Sequence, residues 1–207
     1  MSDWSFLCGV VPVVTIDDAA QAEPLAAALS RGGINCAEIT LRTRAGLAAI
    51  ERLAGMDGFM VGAGTVLNQA QAEAVMAAGA SFVVSPGFDD GVWSVGQRTG
   101  TPVIAGIATA TEAQRAVNAG ASVVKFFPAA TSGGLPAVRA LSAVFTQLSF
   151  MPTGGITLSE LGTWLAEPAV VAVGGSWITP RDLLQARKFD QIEHRARQTT
   201  DVLGEAR

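Results

Sequence analysis

Eight short apolar runs recur along the chain, spaced by roughly 20 to 25 residues, about the length of a strand plus a crossover helix. They are VVPVVTI from Val10, CAEITL from Cys36, FMVGAG from Phe59, SFVVSPG from Ser81, TPVIAGI from Thr101, VVKFFPA from Val123, LSFMPTGG from Leu148 and VVAVGGSW from Val170. Most are apolar at consecutive positions, so both faces of each strand are expected to be covered. Between them lie Ala-rich amphipathic segments such as AQAEPLAAALSR, NQAQAEAVMAAG and TEAQRAVNAG, whose Ala, Leu, Met and Gln content favours helix. A weak internal repeat, GGINCAEI, AAGASFVV and NAGASVVK, places glycine at a helix end just before a strand, where a left-handed stop is expected.

Strands covered on both faces and alternating with helices form a parallel sheet sheathed by those helices. Eight such units close into a (β/α)8 TIM barrel, an α/β fold, and residues 1–207 are expected to make a single domain. An open doubly wound sheet would show fewer strands and a GxGxxG turn after the first, which is absent. In a barrel the active site lies at the C-terminal ends of the strands, so polar residues late in strands are the candidates.

Composition narrows the chemistry. Hydrophobic residues make up 49% of the chain and charged residues 15%, which excludes a disordered chain and requires a sizeable core. The net charge is −4 and the basic residues are scattered, so a nucleic-acid surface is not expected and small-molecule partners are. Cys8 and Cys36 form neither a disulfide framework nor a metal clip, and a reducing, cytoplasmic setting fits. The N-terminus lacks the basic region of a signal peptide, and no apolar run reaches the roughly 18 to 20 residues of a membrane span. The single histidine, His194, sits in the polar stretch DQIEHRARQTT, which predicts a surface helix, and there is no tyrosine. A zinc site or a Ser-His-Asp triad is therefore not expected, and no metal is assigned.

Lys125 and Lys188 are the two lysines, and Lys125 lies inside a strand. Alternation puts Val123, Lys125 and Phe127 on one face, so Lys125 points into the barrel if Val124 meets the helices. Desolvation favours the uncharged form of an amine, which is the form that attacks a carbonyl. Among eighteen acidic residues, Glu38 is the one within a strand core, sharing a face with Thr40 and Arg42. A carboxyl held near that lysine is a candidate general acid and base. Arg42 offers a planar guanidinium for a substrate carboxylate, and Thr65, behind the glycines of VGAGT, offers a second contact. PTGGIT (Pro152 to Thr157) and VGGSW (Val173 to Trp177) end the last two strands with glycine pairs, each in a turn followed by an expected helix start. Such turns expose N–H groups to a phosphate where barrels most often bind one. Ser85 to Gly87, Phe126 to Pro128 and the tryptophans read as walls and packing, and Cys36 as a small buried hydrophobe.

Taken together and in order, AEITLRT, VGAGTVL, SPG, VKFFPA, PTGGI and GGSW closely resemble the bacterial 2-dehydro-3-deoxy-phosphogluconate aldolase family, which is also active on 4-hydroxy-2-oxoglutarate. The resemblance runs from near residue 10 through GGSW. It implies a trimeric class I aldolase barrel that needs no cofactor and cleaves 2-keto-3-deoxy-6-phosphogluconate to pyruvate and glyceraldehyde 3-phosphate. It places the Schiff base on Lys125, the proton carrier on Glu38, the pyruvate contacts on Arg42, Thr65 and Thr153, and the phosphate cradle on Gly154, Gly155, Gly174, Gly175 and Ser176. The chain departs from the usual family pattern at Ala130, commonly Glu, and in AGIAT (Ala105 to Thr109) where PGIST is more usual. The first strand lacks the arginine associated with phosphogalactonate relatives, which favours the gluconate epimer. Two other kinds of barrel share parts of the pattern: a phosphosugar isomerase, which needs no lysine nucleophile, and a non-catalytic sugar-phosphate binder, which has no use for a desolvated lysine.

Overall fold

The structure is a computed structural model and describes residue 7 and residues 9–205; Trp4 and Cys8 lie outside the described residues. The eight apolar runs become eight strands: β1 (Gly9–Val14), β2 (Cys36–Thr40), β3 (Met60–Gly64), β4 (Phe82–Val84), β5 (Val103–Ile107), β6 (Val123–Phe126), β7 (Ser149–Pro152) and β8 (Ala172–Gly175). Consecutive strands from β1 to β7 pair in parallel, and β1 also pairs with β8. Single bridges from Phe150 to Val170 and from Thr153 to Gly174 close the remaining gap between β7 and β8. The result is the expected (β/α)8 barrel. Its strands are buried at nearly every position, as parallel strands sheathed by helices must be.

The helices between strands are α1 (Ala22–Arg31), α2 (Gly46–Leu53), α3 (Gln69–Ala77), α4 (Asp90–Thr99), α5 (Ala110–Asn118), α6 (Gly134–Ser142) and α7 (Leu161–Leu165); α8 (Arg181–Gln185) and α9 (Phe189–Glu205) follow β8. Local chemistry starts and stops them. Asn68 and Asp89 accept hydrogen bonds from the first-turn amides of α3 and α4, and Thr109 with Glu112 forms a reciprocal capping box at α5. Glu112 is held below the ordinary carboxylate range: burial pulls the other way, but hydrogen bonds from the Ala108 amide and from Thr109 outweigh it. The internal repeat is a repeated C-cap. Gly33, Gly79 and Gly120 have φ of 86°, 89° and 87°, and the next amide of each reaches back to Leu29, Val75 and Ala116. Only glycine takes that conformation without strain.

The C-terminal segment, expected as a surface helix, is α9. It leaves His194 exposed but buries Ile192, Ala196 and Thr199 against the barrel shell. It lies on α1, where a Cβ on Gly32 would come within 2.3 Å of Ala196 Cβ.

The ion pairs of the helical shell, such as Arg52–Glu23 and Arg98–Glu73, are exposed and stabilise little. Asp17 is better fixed: Arg181 grips both its oxygens and Gln185 a third contact, and the Arg181 hydrogen bond in particular holds the carboxyl down to about 2. This clip ties the loop after β1 to the start of α8. Its contribution is complete above the ordinary carboxylate range and fades as the pH falls toward about 2.

The lower barrel interior is packed by large side chains set against small ones. The ring of Phe82, fully buried, lies where a Cβ on Gly62 would be only 2.2 Å away. Phe82→Ala therefore opens a cavity that the glycine opposite cannot fill, and should cost about 3–5 kcal/mol in urea unfolding. A loss near zero would show that the strands can collapse into the gap.

Candidate active site

The barrel brings together two groups separated by 87 positions in the chain: Lys125 Nζ lies 3.4 Å from Glu38 Oε1. Lys125 is 2% exposed and Glu38 is not exposed at all. Lys125 projects from the third position of β6 and Glu38 from the middle of β2, each on the face that strand alternation turns inward. Neighbouring small residues clear the space. A Cβ on Gly64 would stand 2.1 Å from Glu38 Oε1, so the carboxyl lies across the bare backbone of β3. Lys125 pairs in register with Gly106 on one side and Met151 on the other, and its ammonium sits 5.2 Å from the centre of the Phe127 ring.

The pair has not been optimised for stability. A charge-assisted N–H to carboxylate bond is usually about 2.7–2.9 Å, and this one is longer. Among the described residues, none donates a hydrogen bond to Glu38 Oε2, although that oxygen is buried. Buried charges are retained only when well paired or when chemistry requires them. A loose contact with an unfilled acceptor leaves an amine and a carboxylate able to reach a third group between them.

The other residues singled out from the sequence fall at the same end of the barrel, with two corrections. The strand alternation that set Arg42 on the inner face stops short of it: β2 ends at Thr40, and Arg42 lies in the turn beyond, exposed. That turn is pinned on both sides, by the Leu41 amide to Gly64 and by the Thr43 hydroxyl to Ile16. Gly174 and Gly175 are not in a turn but are the last two residues of β8, and the next helix begins only at Arg181. Gly154 and Gly155 do form a turn, with φ of 99° and 78°, and a helix start follows, where a 3-10 turn at Leu158–Glu160 runs into α7 at Leu161. A helix start thus follows PTGGIT, as expected, while VGGSW is separated from α8 by residues 178–180. What brings them side by side is the Thr153–Gly174 bridge, and a Cβ on Gly174 would meet the Thr153 hydroxyl at 2.1 Å. Thr153 is buried, and Ser176 is exposed just beyond β8. Ala130, in the turn after β6, meets the Gly154–Gly155 turn, its amide bonded to the Gly154 carbonyl.

Thr65 follows β3 with φ of 58°. A β-branched residue in the left-handed region is strained, and such strain gathers at functional sites. Three further polar residues were not singled out as site candidates. Thr15 and Thr40 share a hydrogen bond of 3.0 Å across β1 and β2. Trp177, taken as ordinary packing, donates from its indole N–H to Thr199 on α9. Thr40, two residues beyond Glu38 on the same face, could have been found by alternation; the Trp177–Thr199 contact spans two elements and leaves no local mark. Ser85 bonds back to Gly87, in keeping with a wall. A separate cavity of about 470 Å³, lined by Val10, Ile34, Phe59, Met60 and Leu203, opens at the strands' N-terminal ends, away from the amine and carboxyl.

A family model described as KDPG and KHG aldolase matches residues 6–195. The chain belongs to this aldolase family. It is 46% identical to 2-dehydro-3-deoxy-phosphogluconate aldolase of Treponema pallidum, over 94% of this chain and 93% of that one. It is 39% identical to KHG/KDPG aldolase of Escherichia coli, over 93% and 91%. The crystal structure of KDPG aldolase from Legionella pneumophila, with pyruvate captured at low pH as a covalent carbinolamine intermediate, superposes with a TM-score of 0.89 at 39% identity, covering 93% of this chain and 94% of that one. Among the described residues no helix is long and apolar enough to cross a membrane.

The strain at Thr65 can be separated from the substrate contact expected of its hydroxyl. Thr65→Gly removes the left-handed penalty and should raise unfolding stability by about 1 kcal/mol, even after the entropy glycine costs. The same variant should lose aldolase kcat/KM. A variant less stable than the parent would show that the threonine anchors the loop instead.

Proposed function

We propose that this protein is a class I aldolase that cleaves 2-keto-3-deoxy-6-phosphogluconate to pyruvate and glyceraldehyde 3-phosphate through a Schiff base on Lys125. The observation that carries the proposal is the buried amine 3.4 Å from a buried carboxylate with one unfilled oxygen. The names of the relatives and the carbinolamine in the Legionella pneumophila enzyme support it.

The steps balance on this chain's own groups. The uncharged Lys125 amine attacks the C2 ketone, and Glu38 carries the protons as the carbinolamine forms and loses water. The resulting iminium is an electron sink. Glu38 takes the C4 hydroxyl proton, the C3–C4 bond breaks, and its electrons move into the iminium to give an enamine while glyceraldehyde 3-phosphate leaves. Protonation of the enamine at C3 and hydrolysis of the imine release pyruvate and the free lysine. Glu38 has the reach for both tasks because its carboxyl is not locked by other donors.

Arg42, Thr65 and Thr153 hold the pyruvate carboxylate and its neighbourhood. Gly154, Gly155, Gly174, Gly175 and Ser176 hold the phosphate through main-chain N–H groups and the serine hydroxyl. 4-Hydroxy-2-oxoglutarate, which lacks the phosphate, is a second substrate, giving pyruvate and glyoxylate. By family resemblance the active form is a homotrimer; the chain length supports one domain over residues 1–207, and the cysteine usage supports a cytoplasmic setting.

Incubation with pyruvate and borohydride should leave an irreversible reduced adduct on Lys125, read by peptide mass spectrometry. Lys125→Ala should abolish both adduct and turnover while retaining the fold. An active Lys125→Ala variant would end the proposal. Ser176→Ala should weaken the phosphorylated substrate by about 3- to 10-fold, the worth of one hydrogen bond, and spare 4-hydroxy-2-oxoglutarate. Equal losses on both would remove Ser176 from the phosphate cradle.

A further inference from the structure

Ser176 is exposed, and its position is set by the residues on either side. Gly175 before it lies under the Trp177 ring, since a Cβ on Gly175 would come within 2.4 Å of the indole. Trp177 after it is tied to α9 twice. Its indole N–H donates to Thr199 Oγ1 at 3.2 Å, and its carbonyl accepts from Arg195 at 3.1 Å.

The polarity of the first contact is dictated. An indole N–H can only donate, so Thr199 Oγ1 must accept, and its own proton goes to the Arg195 carbonyl at 2.8 Å. Thr199 is fully buried, so both halves of its hydroxyl are committed. A tryptophan needed only for packing could be a phenylalanine; this one uses its polar end to reach another element. α9 in turn is fixed to α1, through the Thr200 hydroxyl to the Gly32 carbonyl at 3.0 Å and through Glu193 to Arg31 at 2.6 Å.

Resting on the aldolase assignment above, we propose that Trp177 and Thr199 are positioning residues for the phosphate: helix α9 holds Gly175 and Ser176 in binding register from outside the barrel. A main-chain cradle recognises an anion only if its N–H groups are already fixed when the anion arrives, because ordering them on binding costs affinity. The Trp177 ring beneath Gly175 and the two hydrogen bonds to α9 provide that fixation. None of these groups lies against the Lys125–Glu38 pair in chain position or hydrogen bonding, so their effect should fall on the phosphate end alone.

Thr199→Val removes the hydroxyl at constant shape, Thr199→Ser retains it, and Trp177→Phe keeps a ring but not the N–H. Each is assayed on the phosphorylated substrate and on 4-hydroxy-2-oxoglutarate, with inorganic phosphate as competitor and pyruvate–borohydride capture at Lys125 as control. Thr199→Val and Trp177→Phe should raise KM for the phosphorylated substrate and the inhibition constant of inorganic phosphate by about 2- to 10-fold. Turnover of 4-hydroxy-2-oxoglutarate and pyruvate capture should stay at the parent level, and Thr199→Ser should restore phosphate affinity. If Thr199→Val does not fold, Trp177→Phe interrogates the same bond. Equal losses on both substrates, or unchanged phosphate affinity, would overturn the positioning role. Absence of pyruvate capture in the parent protein would instead overturn the aldolase assignment on which it rests.

Discussion

Everything in this site depends on keeping an amine and a carboxylate together away from water. In solution a lysine is almost wholly charged at neutral pH and too well hydrated to attack a ketone. Burying one alone is prohibitive, and burying it against a tightly bonded acid would keep it charged and occupied. The barrel adopts an intermediate arrangement, with Lys125 and Glu38 in contact at 3.4 Å and one carboxylate oxygen unfilled. The cost of holding two such groups is spread over a core in which strand positions are buried almost throughout.

That arrangement needs space as well as charge. The carboxyl of Glu38 fits only because position 64 has no side chain, and the Thr153 hydroxyl fits only because position 174 has none. Glycine in a strand weakens it, so these positions trade local stability for access. The Phe82 ring does the reverse lower in the barrel, filling the space left by Gly62. Small residues beside Glu38 and Thr153 and a large one lower in the barrel separate the end that holds the Lys125–Glu38 pair from a closely packed end.

The rim is fastened from outside. Asp17 and Arg181 join the loop after β1 to α8, Thr43 joins the turn that carries Arg42 to Ile16, and α9 reaches Trp177. Loops that carry binding groups are usually the mobile part of a barrel. Here the segments carrying Arg42 and Ser176, the proposed binding groups, are each bonded to a neighbouring element, so these segments are ordered before any ligand arrives.

The strand and helix order, the barrel and the identity of the amine and carboxyl were legible in the chain, because each is a local violation or a local repeat. A lysine among Val and Phe, a glutamate among Ala and Ile, and a glycine at three of the helix ends stand out without coordinates. Strand alternation also put Lys125 and Glu38 on inward faces. It could not place Arg42, because alternation has no meaning once the strand stops at Thr40, nor distinguish the turn glycines at 154 and 155 from the strand glycines at 174 and 175. The contact of Lys125 with Glu38, the Thr153–Gly174 bridge and the grip of α9 on Trp177 join residues far apart in the chain. A periodic pattern records which face a residue turns to its own element's surroundings; which distant residue occupies those surroundings is set by closure of the barrel alone.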